Sequence, residues 1–175
     1  IKKYLMKKVV FILISFFSVI SVMAQYYQSK VYGQDYHVFD LVKDNQQNIY
    51  LCGTYDDYYN GLLVKLDSNG TPLLVKTYSN SPFNHVLMTN DSMLLLSGME
   101  AYNDAQVTKC DLDGNVLWSK RIDFGAGYSG KTYAAVQCYD DSYVLCGTLS
   151  SYSFADEVFV SRISETGSEI WTNTY

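Results

Sequence analysis

The chain has 175 residues, 48% of them apolar, and carries 13 Lys/Arg against 18 Asp/Glu for a net charge of −5. An acidic chain with no Lys/Arg cluster lacks the basic patch that displaces counterions from nucleic acid, and it has no attraction for anionic lipid. The charge speaks for solubility and little more.

The first 24 residues read as a secretory signal peptide. Lys7-Lys8 precede an apolar run over residues 9–24, broken only by Ser15, Ser18 and Ser21, which closes on Val22-Met23-Ala24 ahead of Gln25. A basic start, a short apolar stretch and small residues at the cleavage positions form that pattern. The run is shorter than the roughly 20 apolar residues a membrane-spanning helix requires, and no cysteine follows for a lipid anchor. Translation is expected to start at Met6, with residues 1–5 an extension ahead of it. Removal of residues 1–24 takes four lysines and no acid, leaving nine Lys/Arg against 18 Asp/Glu and a charge of −9. No stable membrane insertion is expected afterwards. Export places the remainder outside the cell or on its surface, by way of the periplasm.

Residues 25–175 read as strand throughout. A lone strand is expected at residues 26–32, "YYQSKVY", followed by three units at about 33–78, 79–122 and 123–175. In the first unit, strands are predicted near 38–42, 49–54, 62–67 and 73–78, because short runs of Tyr, Val, Leu, Ile and Thr alternate with Asn/Asp/Ser/Gly clusters. The units match one another. "LVKLDSNGTPLLVKTY", "VTKCDLDGNVLWSKRI" and "VSRISETGSEIWTNTY" each place a basic residue (Lys65, Lys109, Arg162) five before a glycine (Gly70, Gly114, Gly167). A large apolar residue (Leu74, Trp118, Trp171) follows four later. Upstream, "IYLCGT", "LLLSGM" and "YVLCGT" put Gly53, Gly98 and Gly147 at spacings of 45 and 49 residues. Four short antiparallel strands at such a period predict an all-β fold, a β-propeller of four-stranded antiparallel blades. About three blades are present. Propellers have more, so the ring is expected to be incomplete and the chain the N-terminal part of a longer one, whose remaining blades are its first partners.

The acidic stretch Asp111-Leu112-Asp113-Gly114-Asn115 invites comparison with a calcium loop. Only the glycine recurs in all three units, as a tight hairpin needs for a positive φ. An EF-hand would end in Glu at its twelfth position, where this segment ends Ser-Lys-Arg-Ile. A hairpin turn is therefore expected, and no metal site.

Reactive residues are few. Cys52 and Cys146 share a slot with Ser97, which reads as a crowded small-residue packing position. Cys138 is expected opposite about 143 or 144 and out of reach of Cys146, so free thiols are predicted. The absence of a C-x-x-C spacing removes zinc and thiol-redox chemistry. His37 and His85, each before Val at the start of a first strand, read as structural or surface features rather than ligands, with the matching place in the third unit near Ala134. No G-x-S-x-G, P-loop or H-E-x-x-H pattern occurs. No catalytic, cofactor-binding or metal-binding residue is therefore assigned, and no cofactor. The tyrosine-rich, acidic "YDDYYNG" at 55–61 is ordinary blade-loop composition, or else a surface that meets sugars or peptides through ring faces and hydroxyls.

The repeat itself resembles those of bacterial secreted proteins exported by the type IX secretion system, with units of the form "GYIVAGxT … VxKxDxxGxxxWxKxY". The resemblance covers essentially residues 26–175 and implies a propeller ahead of a C-terminal sorting module. Gly114/Trp118 and Gly167/Trp171 also resemble the tryptophan-docked blades of quinoprotein dehydrogenases and outer-membrane assembly lipoproteins. That pattern usually has Ala near Lys65, Lys109 and Arg162, and Trp where the first unit has Leu74. The expected function is an exported surface or secreted scaffold that binds a protein or glycan. The alternative is the propeller part of a secreted hydrolase or quinone-dependent dehydrogenase whose catalytic residues lie elsewhere.

Overall fold

The computed structural model describes residues 35–56, 58–100, 104–125, 127–151 and 156–175, all within the compact unit Tyr32–Tyr175. The expected leader and the lone strand at 26–32 lie outside the described residues.

The described residues form twelve strands and no helix: β1 (Tyr36–Lys43), β2 (Ile49–Tyr55), β3 (Asn60–Leu66), β4 (Pro72–Tyr78), β5 (Phe83–Met88), β6 (Leu94–Glu100), β7 (Asp104–Cys110), β8 (Val116–Ile122), β9 (Tyr128–Gln137), β10 (Tyr143–Ser151), β11 (Glu157–Ile163) and β12 (Glu169–Thr174). They make three four-stranded antiparallel sheets in which each strand pairs with its sequence neighbour: β1–β4 is sheet 1, β5–β8 sheet 2 and β9–β12 sheet 3. The expected strands of the first unit are all present, with ends shifted by one or two residues.

The recurring motif is a hairpin between the third and fourth strands. Lys65 lies directly across from Leu74, Lys109 from Trp118 and Arg162 from Trp171, which accounts for the constant nine-residue spacing. Gly70, Gly114 and Gly167 stand at φ 73°, 73° and 79°. The residue three before each glycine accepts its N–H at 2.9 Å. In the acidic copy, Asp111 Oδ1 accepts the N–H groups of Asp113 (2.9 Å) and Asn115 (2.8 Å), while Oδ2 accepts from Asn115 Nδ2 at 2.9 Å. The carboxylate is thus used inside the turn, as the side chains of Asp67 and Ser164 are in theirs.

A second device explains the other glycines. The first strand of every sheet bulges at one place, extruding Phe39 between Val38 and Asp40, Asn84 between Phe83 and His85, and Tyr133 between Thr132 and Ala134. Opposite the bulges stand Gly53, Gly98 and Gly147. A Cβ on them would lie 1.8, 2.0 and 2.0 Å from the backbone oxygens of His37, Pro82 and Lys131. The bulged carbonyl presses into the space a side chain would fill, so only glycine fits.

The sheets stack in chain order. We call downstream the face of a sheet that looks toward its successor. Downstream residues Tyr50, Cys52 and Leu63 of sheet 1 meet Phe83, Val86, Leu94, Leu96 and Cys110 of sheet 2. Leu95, Ala105, Val107 and Ile122 of sheet 2 meet Tyr143, Leu145, Phe159 and Ile163 of sheet 3. Burial follows from this sandwiching. β6 is buried at five consecutive positions, whereas β10 alternates although its sequence is as apolar, as a strand covered on one face should. Leu62, Val64 and Leu66 form a third cluster with Tyr36, Ile49 and Leu51 on the other face of sheet 1.

Candidate binding surface

The extruded bulge residues are the starting point. A bulge turns its extra side chain out of the strand's alternation. In sheet 1 it leaves Phe39 47% exposed. The β2–β3 loop folds back over the same strand: the Tyr58 ring stacks on His37 with centroids 4.2 Å apart and planes at 17°, and its hydroxyl lies 3.3 Å from His37 Nδ1. Phe39 lies 6.4 Å from Tyr58 at 28°. Tyr58 remains 54% exposed. The loop holds two non-glycine residues in the left-handed region, Asp56 at φ 58° and Tyr58 at φ 71°. Such backbone is costly for a bulky residue and concentrates where side chains are positioned for use.

The same slot carries on along the neighbouring first strands. In sheet 2 it is Asn84, whose Nδ2 donates to the Thr132 carbonyl at 3.1 Å. In sheet 3 it is Tyr133, half exposed, with Lys131 Nζ 5.4 Å from its ring centroid. The arrangement is a row of bulge side chains, aromatic at both ends, with the stacked Tyr58 and His37 at the sheet 1 end. The sequence singled out the tyrosine loop. The partners it meets, His37 and Phe39, come from β1 and carried no signal beyond being aromatic.

The row rests on a polar link across the three first strands. Asp40 Oδ2 lies 2.6 Å from His85 Nδ1 and accepts the Val86 N–H at 3.1 Å, while His85 Nε2 meets the Ala135 carbonyl at 3.0 Å. His85 is therefore structural. The expected equivalence of the two histidines is corrected by the register. Asp40, His85 and Ala134 are the residues paired with Cys52, Ser97 and Cys146, whereas His37 pairs with Thr54. Ala134 thus matches His85 and not His37.

All four cysteines are free. Cys52 is fully buried, and burial pushes its thiol well above the usual range; burial likewise takes Cys110 up to about 12. Two expectations are corrected. Cys146 is exposed, because the downstream face of sheet 3 is open where that of sheet 1 is covered. Cys138 lies opposite Ser142, whose carbonyl accepts its N–H at 2.7 Å, because a three-residue loop with Asp141 at φ 60° closes the hairpin.

Charge between the sheets is paired. Lys109 Nζ is buried, 2.7 Å from Asp91 and 3.9 Å from Glu165 of the next sheet. Burial opposes its charge most strongly, but the hydrogen bonds and charges of Asp91 and Tyr143 together outweigh it and hold its pKa above the usual lysine value. Arg162 occupies the equivalent place in sheet 3 and reaches Asp140 at 2.8 Å. These basic residues are inter-strand and inter-sheet ties. Among the described residues no group of three His, Cys, Asp or Glu is gathered as a metal site would need.

No family model and no curated protein matches the chain. Among solved structures it is similar to one described as the crystal structure of the eukaryotic initiation factor, with a TM-score of 0.58 over 85% of this chain at 10% identity. At that identity the likeness is one of fold alone, and the chain spans 35% of the length of that protein.

Proposed function

We propose that the chain is an exported β-propeller scaffold, three blades of a larger ring, which binds a protein or glycan ligand and catalyses no reaction through the residues described. The resemblance of its repeat to type IX-exported proteins supports an extracellular or cell-surface site. Three like sheets stacked in chain order, with the same bulge and the same turn in each, support the propeller. Because fold does not specify activity, the binding reading rests on one observation: the exposed stack of His37, Tyr58 and Phe39, held by a left-handed loop. Flat ring faces beside hydroxyls suit the C–H and O–H faces of a sugar best, and a peptide next.

The test is titration with soluble glycans of several linkages and with peptide libraries, comparing the parent chain with Tyr58→Ala and Phe39→Ala. Both rings are half exposed, so folding is retained. Loss of one aromatic anchor should weaken binding by about 2 kcal/mol, roughly thirtyfold. A ligand bound equally well by both variants would place the binding surface elsewhere.

A further inference from the structure

Equivalent positions of the three sheets differ in what covers them. Tyr78 and Ile122 pack into the inter-sheet clusters, and Ile122 is 3% exposed; Tyr175, in their slot, is 75% exposed. Cys52 and Ser97 are fully buried, while Cys146 is exposed. Ala105 is fully buried, while Val158, which takes its place, is 50% exposed. The downstream face of sheet 3 therefore has the composition of a buried face and is not buried.

The two covered faces show what their occupant brings. The β7–β8 turn of sheet 2 lies over sheet 1: Tyr78 Oη donates to the Gly114 carbonyl at 2.7 Å, and Lys76 Nζ to Asn115 Oδ1 at 2.9 Å. Lys65 Nζ lies 3.8 Å from Asp113. The β11–β12 turn lies over sheet 2 in the same way. Gly167 is so close to Trp118 and Lys120 that a Cβ would stand 3.0 and 2.7 Å from their side chains, and Glu165 lies 3.9 Å from Lys109. Each interface thus sets a basic residue of one sheet against an acid in the glycine-bearing turn of the next, the glycine lying against Tyr78, Lys76 and Leu63 in the first and against Trp118 and Lys120 in the second. Sheet 3 presents the receiving half, Arg162 across from Trp171, with Arg162 already tied to Asp140 as Lys109 is to Asp91.

We propose that this face receives a fourth four-stranded unit of the same repeat. It would be joined through Tyr175 as sheet 2 is joined through Tyr78, and would set a glycine turn over Trp171 with an acid one or two residues ahead of the glycine against Arg162. This proposal rests on the larger-ring reading given above and names its next contact; the interface does not involve the aromatic row, so loss of ligand binding there and failure of this docking are separate outcomes.

The experiment extends the full chain after Tyr175 with a second copy of residues 79–122, its own cysteine replaced by serine, which reproduces the Tyr78–Ser79 junction, in a Cys138→Ser background. The readout is the rate at which a thiol reagent modifies native Cys146. Docking slows that rate at least about tenfold, as burial governs thiol access, and Arg162→Glu in the extended chain restores it. An extension that adds strand signal in circular dichroism yet leaves Cys146 labelling unchanged overturns the proposal. A second arm needs no extension. In the parent chain, Val158→Lys leaves the melting temperature unchanged while Ala105→Lys, its buried equivalent, lowers it; equal losses would mean the face is already covered and the proposal wrong. Sedimentation of the parent supplies the last arm: self-association abolished by Val158→Lys would make the occupant a second copy and overturn the fourth unit.

Discussion

Replacing Gly98 by alanine should be among the most damaging single-methyl changes in the chain. Its Cβ would lie 2.0 Å from Pro82 O, 2.9 Å from Phe83 Cα and 3.0 Å from Pro82 C. All three are backbone atoms, so no side-chain rotation relieves the contact. Gly98 is not in the positive-φ region, and alanine there carries no conformational penalty; the whole effect is steric. To reach an ordinary contact of about 3.4 Å from 2.0 Å the Pro82 carbonyl must retreat by about 1.4 Å, which breaks the hydrogen bond it accepts from Met99 N–H at 3.1 Å. It also drags the adjoining Phe83, fully buried between sheets 1 and 2. Overpacking of this kind costs about 1–3 kcal/mol and the lost hydrogen bond about 1 more. The smaller unfolded-state entropy of alanine returns about 0.5–1. The net destabilisation is about 2–3 kcal/mol, a fall in melting temperature of roughly 5–10 °C at this size.

Urea titration followed by Trp118 fluorescence measures it, with Gly125→Ala as the control. Gly125 sits at φ 88° with nothing within 4 Å of a Cβ, so that variant loses only about 1 kcal/mol from its backbone conformation. A Gly98→Ala protein within 0.5 kcal/mol of the parent, or less affected than Gly125→Ala, would show that the bulge yields easily and that steric exclusion is not why the glycine recurs.

Three further outcomes follow from the same geometry. Asp111→Ala, which frees three donors of its turn, should cost about 1–2 kcal/mol. Asp113→Ala, exposed and 3.8 Å from Lys65, should cost less than about 0.5; equal losses, or a rise in melting temperature on adding calcium, would revive the metal-loop reading. Asp91→Ala leaves Lys109 buried with Glu165 at 3.9 Å as its nearest carboxylate and the Tyr143 ring centroid at 5.8 Å and should cost about 3 kcal/mol, more than Lys109→Met; the reverse order in urea titrations would refute the pairing argument. Finally, burial opposes ionisation of Asp44 and Asp91, but hydrogen bonds from Asn48 to the first and from Lys109 and Thr89 to the second override it. Asp111 and Asp140 are lowered chiefly by Asn115 and Ser142. Depressed carboxyls contribute stability that is complete above their unfolded value of about 3.9 and lost as pH falls through the folded values. The melting temperature should therefore drop steeply only below about pH 4, and a profile flat to pH 2.5 would contradict it.

What the sequence made legible was whatever depends on neighbours in the chain. The third-to-fourth hairpins were readable because a glycine at positive φ and two residues nine apart define them locally. The tyrosine loop was readable by composition. What escaped depends on backbone meeting backbone. The role of Gly53, Gly98 and Gly147 is set by a carbonyl in another strand, and the bulge that puts it there leaves no residue type in common: Phe39, Asn84 and Tyr133 share nothing. The same extra residue defeated the alignment of the histidines: each stands before a valine, but His37 precedes its strand's bulge and His85 follows its own, so pairing sets His85 against Asp40. A bare outer face was expected from the count of units, but the strand pattern did not mark it, because "YVLCGT" is as apolar as "IYLCGT" and only contact tells them apart.

The bulge also suggests why recognition chemistry would collect where it does. The residue opposite each bulge is fixed as glycine by the carbonyl against it, and the residues flanking the bulge are held by pairing and by the Asp40–His85–Ala135 link. The extruded residue is held by neither. It can be phenylalanine, asparagine or tyrosine without altering the sheet, because its side chain has left the alternation that fills the core. A frame that repeats its constraints also repeats its freedoms, and in this chain the freest slot of each unit lies on the first strand, where the three sheets come together. Variation there changes a surface without changing a fold, which is the property a binding scaffold needs.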